Sequence, residues 1–487
     1  MKETAKDQKL KLSTKLGFGV GDIYGGGAML IIGIYYLHYL TDVMLISPAL
    51  AGVAFFVSKI WDAVTDPMMG YISDRTRTRF GRRRPYFLFG IVLIFISFFL
   101  MWYPVDFDLE KHRFIYILIA YIFFSTVITM VMIPYNALAA ELTLDYNERT
   151  SLTTYRIIFS GISSLICAVL PFEIVKFFPD NERSGYIVMA VAFGLFFAIP
   201  FIATFLTTRE REEFQKEPTP FNFRRSYVEP FFAPTFLNVL LMYLFSFVAI
   251  DAVMSIVIYF MKYYMMRLGE TDYVLGTILV LQVLVIPIYS WVSKKTSKKT
   301  SFIISALIWL VVMGFSYFIT PELPKEAIYV FGGLVGLGTG GIVIMIYSIF
   351  TDVPDVDELY TGERREGIYS GLFMFARKMS SAVGIFLISQ IIDRTGYIKP
   401  VEGIVDGKEV LIEQAQTPEF IMVLKLIFAL IPVLFLALSA YNAFRYKLTP
   451  SLHARIKEHL NKRREGDEMS GEMQEEELEL KRLLERR

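Results

Sequence analysis

Twelve long apolar runs dominate the chain and leave it few folds to choose from. About twenty consecutive apolar residues are enough for a helix to cross the hydrocarbon core of a bilayer. Runs of that length fall near residues 16–40, 49–73, 85–104, 114–140, 153–178, 185–207, 230–262, 273–293, 301–320, 326–351, 367–393 and 418–445. Lipid offers no partners to backbone N–H and C=O groups, so each run is expected to be a helix. Composition agrees: with 54% hydrophobic and 20% charged residues over 487 positions, and a mean hydropathy of +0.47, the chain is too apolar for a water-soluble protein. The expected class is an all-α integral membrane protein.

Lysine and arginine in the short connections set its orientation. The N-terminal stretch (Lys2, Lys6, Lys9, Lys11, Lys15), the 74–84 turn, the 208–229 segment (Arg209, Arg211, Lys216, Arg224, Arg225) and the 294–299 turn (Lys294, Lys295, Lys298, Lys299) all fall on one side, whereas 41–48 has no Lys or Arg. Both termini are therefore expected in the cytoplasm, with the protein a multi-pass resident of the cell membrane. The polar start and the long first run, which lacks a small-residue cleavage site, do not read as a removable signal peptide. The basic turns sit between spans, so topology accounts for them and nucleic acid is not an expected partner. Four scattered His make no metal-ligand cluster, and the single Cys167, in an apolar run, can form no internal disulfide and reads as a buried, inert thiol.

The 208–229 segment is polar, carries Pro218 and Pro220, and divides the runs six and six. The halves echo each other. The turn after the second span is basic in both, and Leu144-Asp145 through Arg149, leading to Arg156, matches Asp355-Val356-Asp357-Glu358 through Arg364-Arg365, leading to Arg377-Lys378. Two parallel six-helix repeats are the major facilitator plan: twelve transmembrane helices in two six-helix bundles, with a binding site at mid-membrane between the halves. The expected divisions are an N-terminal bundle at 1–207, a cytoplasmic linker at 208–229, a C-terminal bundle at 230–446 and a cytoplasmic tail at 447–487. In the tail, Leu452, Ile456 and Leu460, then Glu475 to Leu480, suggest short amphipathic helices on a solvated segment without assigned function.

Residues 59–85 carry the chemistry. Asp62 and Asp66 are i and i+4 on one helix face, with Lys59 one turn earlier. A charge at mid-membrane costs at least about 2.5–3.5 kcal/mol, so such residues mark ion or substrate pathways. A structural pair between Lys59 and one Asp is the plain alternative, but it leaves the other acid unexplained. Two close carboxylates do not readily both stay ionised, so a proton or a metal cation such as Na+ is expected to bind there. Thr65 and backbone carbonyls offer further oxygens.

Gly70, Asp74 and Arg75 followed by the arginine run resemble the cytoplasmic turn of major facilitator transporters. Trp61-Asp62-Ala63-Val64-Thr65-Asp66-Pro67, with Asp352-Val353-Pro354-Asp355-Val356-Asp357-Glu358 and Thr361-Gly362-Glu363-Arg364-Arg365-Glu366-Gly367, makes the likeness sharper. The chain resembles the glycoside-pentoside-hexuronide:cation symporter family, which includes the melibiose permeases, over all twelve spans but not the tail. That resemblance implies a secondary active transporter coupling a sugar or glycoside to Na+ or H+ by alternating access. It implies cation binding at Asp62, Asp66, Thr65 and Thr129, and sugar contact at Asp22, Arg156 and Lys378. The positions flanking Pro134 depart from the melibiose permeases: Met132 stands for an Asp and Asn136 for a Trp, which weakens the case for a galactoside.

A sugar needs both hydroxyl partners and aromatic faces. Asp22, Arg156 and Lys378 supply the first, Asn136 stands beside them, and Tyr24, Tyr135 and Tyr155 are candidate ring neighbours. A salt bridge pinning the first and fifth spans is the plain reading of Asp22 with Arg156. The acids Asp355, Asp357 and Glu358 and the Asp74, Arg75, Arg82, Arg83 and Arg84 turn are expected to gate the cytoplasmic side, pairing when it is closed. No prosthetic cofactor is expected; the partners are the solute, a monovalent cation and the bilayer, and a monomer is the default. A lysolipid is the alternative cargo. Gly19-Val20-Gly21-Asp22 also spells the GxGD of intramembrane aspartyl proteases, but the Tyr-Asp pair that such enzymes need is absent from the sequence.

Overall fold

The computed structural model describes residues 9–143, 146–179, 181–210, 229–232, 235–362, 365–405, 408–465 and 471–485. Most of the expected linker, from 211 to 228, lies outside these residues, as do Leu144, Asp145, Glu363 and Arg364. Among the described residues, twelve helices are long and apolar enough to cross a membrane: Leu12–Tyr36, Pro48–Arg75, Arg84–Trp102, Glu110–Ala139, Ser151–Lys176, Glu182–Thr207, Phe236–Tyr264, Leu268–Lys295, Lys298–Phe318, Lys325–Thr361, Ile368–Arg394 and Pro418–Arg445. Each falls on one of the expected runs. They are called here the first to twelfth spans.

Proline punctuates several of them. Pro200 begins a second segment, Pro200–Thr207, within the sixth span, and the eighth divides into Thr271–Leu284 and Ile286–Lys295, with Pro287 in the first turn of the second piece. Pro67, Pro134 and Pro171 sit inside continuous helices. There, each withholds the N–H that the carbonyl four residues earlier would otherwise accept.

The chain groups into two compact units. Unit 1 comprises Met1–Thr219, Met254–Gly276 and Ile385–Leu424; unit 2 comprises Pro220–Val253, Thr277–Gly384 and Lys425–Arg487. Unit 1 is thus more than the first six spans. It also holds the ends of the seventh and eleventh spans, the starts of the eighth and twelfth, and an antiparallel hairpin, Val401–Val405 with Lys408–Ile412.

Inside unit 1 the first span packs directly on the fifth because it is rich in glycine. A Cβ at Gly26 would lie 2.1 Å from the Ser160 hydroxyl and 2.9 Å from its carbonyl oxygen; one at Gly27 would lie 2.2 Å from the Ser163 hydroxyl. Ser163 then reaches back across the contact to donate to the carbonyl of Ile23 at 2.7 Å. Behind this seam the core is aromatic, with Tyr36, Tyr39, Trp102, Tyr121 and Tyr186 fully buried and linked by ring contacts.

The first and seventh spans end alike, a repeat that apolar patterning does not reveal. Each runs into π-helix, at Ile32–Tyr36 and Tyr39–Val43 in one and Phe260–Tyr264 in the other. Met44 N–H and Met265 N–H then bond five residues back, to the carbonyls of Tyr39 and Phe260. Leu45 and Met266, each with φ of 54°, close the two turns. A non-glycine residue at positive φ is uncommon. Its recurrence at the same place in both halves is what an internal duplication leaves behind.

Unit 2 uses the same small-residue packing. Gly338 and Gly341 of the tenth span allow the ninth to approach, where a Cβ would meet Trp309 and Ser305 at 2.4 Å each. The tail forms two helices, Pro450–Glu465 and Gly471–Glu485. Leu452, Ile456 and Leu460 are buried as the amphipathic pattern requires, along with Met473, Leu480 and Leu484. The tail is not merely solvated, however: His453 Nε2 lies 2.9 Å from Asp355, and Tyr360 donates to the carbonyl of Lys481.

Candidate functional site

The second span starts at Pro48, whose fixed φ suits a first helical turn, after the N-cap Ser47. From there its polar residues meet the fourth span turn by turn. Ser58 and Ser125 hydroxyls are 2.6 Å apart, Trp61 Nε1 donates to Thr126 at 2.9 Å, and Thr129 donates to Asp66 Oδ1 at 2.7 Å. The two acids have different surroundings. Asp62 is fully buried and pairs with the equally buried Lys59, Nζ to Oδ2 3.1 Å; Asp66 is partly exposed and faces the Thr129 hydroxyl. The Thr65 hydroxyl donates to the Trp61 carbonyl at 3.0 Å, which leaves its oxygen able to accept or to ligate. Pro67 has no N–H for the carbonyl of Ala63, which lies between the two acids in sequence. Carboxylate, hydroxyl and carbonyl oxygens therefore lie along one stretch of helix, the donor set a hard monovalent cation or a proton takes.

The second cluster in unit 1 joins the first and fifth spans. Arg156 Nε lies 3.1 Å from Asp22 Oδ1, and the guanidinium stands 5.5 Å from the centroid of the Tyr135 ring. Tyr135 is fixed from behind: it stacks on Phe18 at 4.7 Å and its hydroxyl donates to the Phe18 carbonyl at 2.6 Å. The glycines of Gly19-Val20-Gly21-Asp22 are packing devices here, since a Cβ at Gly21 would lie 2.6 Å from Tyr135 and one at Gly19 2.9 Å from Phe159. Asn136 is half-buried, and its side-chain oxygen has no hydrogen-bond partner. Tyr24 is fully enclosed by Phe124, Phe197 and Phe201, a core position in this structure. Lys378 is half-buried on the eleventh span, within unit 2.

Several of the charges expected at the gate find partners inside their own unit. Arg83 bonds Glu141 at 2.8 Å and Asp74 at 2.8 Å, and Arg82 also takes Glu141. Backbone N–H groups of Arg82, Arg83 and Arg84 converge on the Glu210 carboxylate at 2.7, 2.6 and 3.1 Å. Arg84 donates to the Phe205 carbonyl, and Arg75 covers the Tyr71 ring at 3.5 Å. In unit 2, Arg365 grips Asp357 with two bonds of 2.7 and 2.6 Å and reaches Glu229 at 2.9 Å; Glu358 is buried, and Lys298 holds Asp352 at 2.7 Å.

Sequence reasoning missed several of these partners. Glu141 and Glu210 are acids flanking spans, with no spacing to tie them to a turn some sixty or more residues away in sequence. Asp42, beyond the first span, was also unassigned. It accepts from Lys262 at 2.8 Å, Tyr263 at 2.6 Å and Tyr397 at 2.7 Å, all within unit 1. The available signal was an acid and a lysine at the ends of the first spans of the two halves.

Residues 17–450 match the family model for MFS/sugar transport proteins. The putative glycoside/cation symporter YagG of Escherichia coli is 26% identical, over 94% of this chain and 96% of that one. The isoprimeverose transporter of Lactiplantibacillus pentosus is 24% identical over 90% and 88%. The mouse sodium-dependent lysophosphatidylcholine symporter 1 is 26% identical over 81% and 80%. Among solved structures, the xylose transporter XylE of E. coli aligns with a TM-score of 0.59 at 14% identity, covering 89% of this chain and 95% of that one. At that identity the likeness shows the fold alone, and the fold is that of the major facilitator transporters.

Proposed function

Because the chain belongs to the MFS/sugar transport protein family, we propose that it is a secondary active transporter that carries a sugar or glycoside together with a cation by alternating access. It is a multi-pass membrane transporter and not an enzyme. The observation that carries the site assignment is the polar ladder between the second and fourth spans, with Asp66 held by Thr129 and Asp62 by Lys59. The coupling cation, Na+ or H+, binds at Asp62 and Asp66 with Thr65 and Thr129 as neighbouring oxygens. Asp22 and Arg156 bind sugar hydroxyls, with Asn136 and Lys378 as further polar contacts. The protein sits in the cell membrane with both termini cytoplasmic, and its twelve spans form two six-helix repeats. The charged cytoplasmic clusters serve as the inner gate.

Coupling has a simple physical form. A cation at the acid pair offsets negative charge and favours the arrangement that binds sugar; linkage requires the sugar to raise cation affinity by the same factor. Purified protein in liposomes, given labelled galactosides, glucosides, xylosides and glucuronides with and without a sodium gradient at two pH values, tests this. Gradient-driven uptake of one sugar class, lost in Asp62→Asn and Asp66→Asn, supports the symporter. Uptake that survives in both variants would refute the cation site. The likeness to a lysophosphatidylcholine symporter favours a second reading, a lysolipid carrier, so labelled lysophosphatidylcholine belongs in the panel.

A further inference from the structure

Unit 2 contains an acid–arginine pair that, like Asp22 with Arg156, joins the first and fifth spans of its half, and no role above uses it. Asp251 lies on the seventh span, the first of the second half, and Arg377 on the eleventh, the fifth of that half. Arg377 Nη2 donates to Asp251 Oδ1 at 2.9 Å and Nη1 to Oδ2. The guanidinium rests 4.5 Å from the centroid of Phe247, one turn before Asp251. Tyr243, a turn earlier again, packs on Phe247 at 4.6 Å, and its hydroxyl lies 3.4 Å from that of Tyr347 on the tenth span.

Exposure separates this pair from the sealed ones. The side chains of Lys59 and Asp62 are 2% and 1% exposed, and those of Arg365 and Asp357 are 7% and 2%: both are sealed. Arg156 and Asp22 are 31% and 8% exposed; Arg377 and Asp251 are 35% and 11%. In both of the latter the acid is buried and the arginine open. A charged arginine inside an apolar span is costly in lipid, so a partly exposed one is expected to line a polar path.

We propose that Asp251 and Arg377, with Tyr243 and Tyr347, form a second sugar subsite in unit 2, matching the one at Asp22 and Arg156 in unit 1. The inference rests on the sugar-symporter reading. The bidentate contact uses two of the five N–H donors of a guanidinium. A sugar diol accepts from the remaining donors through one hydroxyl and donates to the carboxylate through its neighbour, while tyrosine rings cover its apolar face. Neutral glycosides fit this chemistry, since the pair carries no net charge.

The test is sugar uptake in liposomes by the full chain, using the same labelled panel, for wild type, Asp22→Asn, Asp251→Asn, Arg377→Lys and the double variant Asp251→Asn/Arg377→Gln. The double variant buries no lone charge, and size-exclusion elution establishes that it folds. The expected result is a sugar KM raised about ten- to a hundredfold in the variants at 251 and 377, the worth of one charge-assisted hydrogen bond. The sodium or proton midpoint for thermal stabilisation without sugar stays unchanged. A purely structural pair gives the opposite split: wild-type KM, lower maximal rate and lower Tm, with Tm restored in the double variant. That result overturns the subsite. Loss of uptake in Asp22→Asn but wild-type KM at 251 and 377 overturns the inference and leaves the symporter standing; no sugar uptake by wild type removes both.

Discussion

Replacing Lys59 by Met probes whether the buried lysine and the coupling cation compete for one carboxylate. Its ammonium lies 3.1 Å from Asp62, with both side chains almost fully buried. At that separation and an effective dielectric of about 20, the attraction is about 5 kcal/mol. Breaking a buried pair by removing one partner costs about 3–5 kcal/mol. If the cation takes over the lysine's task, its binding recovers that loss, and its affinity rises by as much as about a hundred- to several-thousandfold. The variant is therefore expected to be less stable than wild type without cation and to gain far more from adding it. The assay is thermal unfolding of purified protein across a sodium titration with choline as replacement, repeated across pH to read the proton case. Equal midpoints and equal gains in both proteins would show that Lys59 and the cation do not share Asp62, and the proposed competition would be wrong.

Three further outcomes are expected. Gly26→Val forces a branched side chain against the Ser160 backbone; overpacking of about 1–3 kcal/mol lowers Tm and membrane yield, whereas Gly314→Ala, where a Cβ meets nothing within 4 Å, leaves packing intact apart from helix propensity. Burial alone raises the Asp42 carboxyl, but His38 and Lys262 hold it well below the ordinary carboxylate value. A lowered carboxyl adds stability that is present above its unfolded pKa of about 3.9 and is lost as pH falls through its lower folded value. Asp42→Asn should thus cost Tm at neutral pH, with the gap to wild type closing only in strong acid; a gap that closed near neutrality would contradict the assignment. Changing Arg82, Arg83 and Arg84 together to Gln removes the side-chain bonds to Glu141 and Asp74, and a reporter cysteine beside this turn, placed in a Cys167→Ser background, should label faster. Unchanged labelling would remove these arginines from the gate.

The sequence by itself determined the helix count, the approximate span limits and the family, because lipid imposes one requirement on every spanning segment, and runs such as 85–104 satisfy it visibly. It also determined that Asp62 and Asp66 share a helix face and that the tail has amphipathic stretches, since both follow from a helical period over a few residues. Tertiary structure decided the partners. Which acid Lys59 would take, that Thr129 would meet Asp66, that Tyr24 would be core, that Glu141 and Glu210 would hold the arginine turn, and that Arg377 would pair with Asp251 all depend on which spans lie side by side. The glycines at 26, 27, 338 and 341 permit that adjacency without stating it. Hydropathy registers only that a residue leaves water, whereas a buried charge must find a partner, and the partner is set by contacts made tens or hundreds of residues away along the chain.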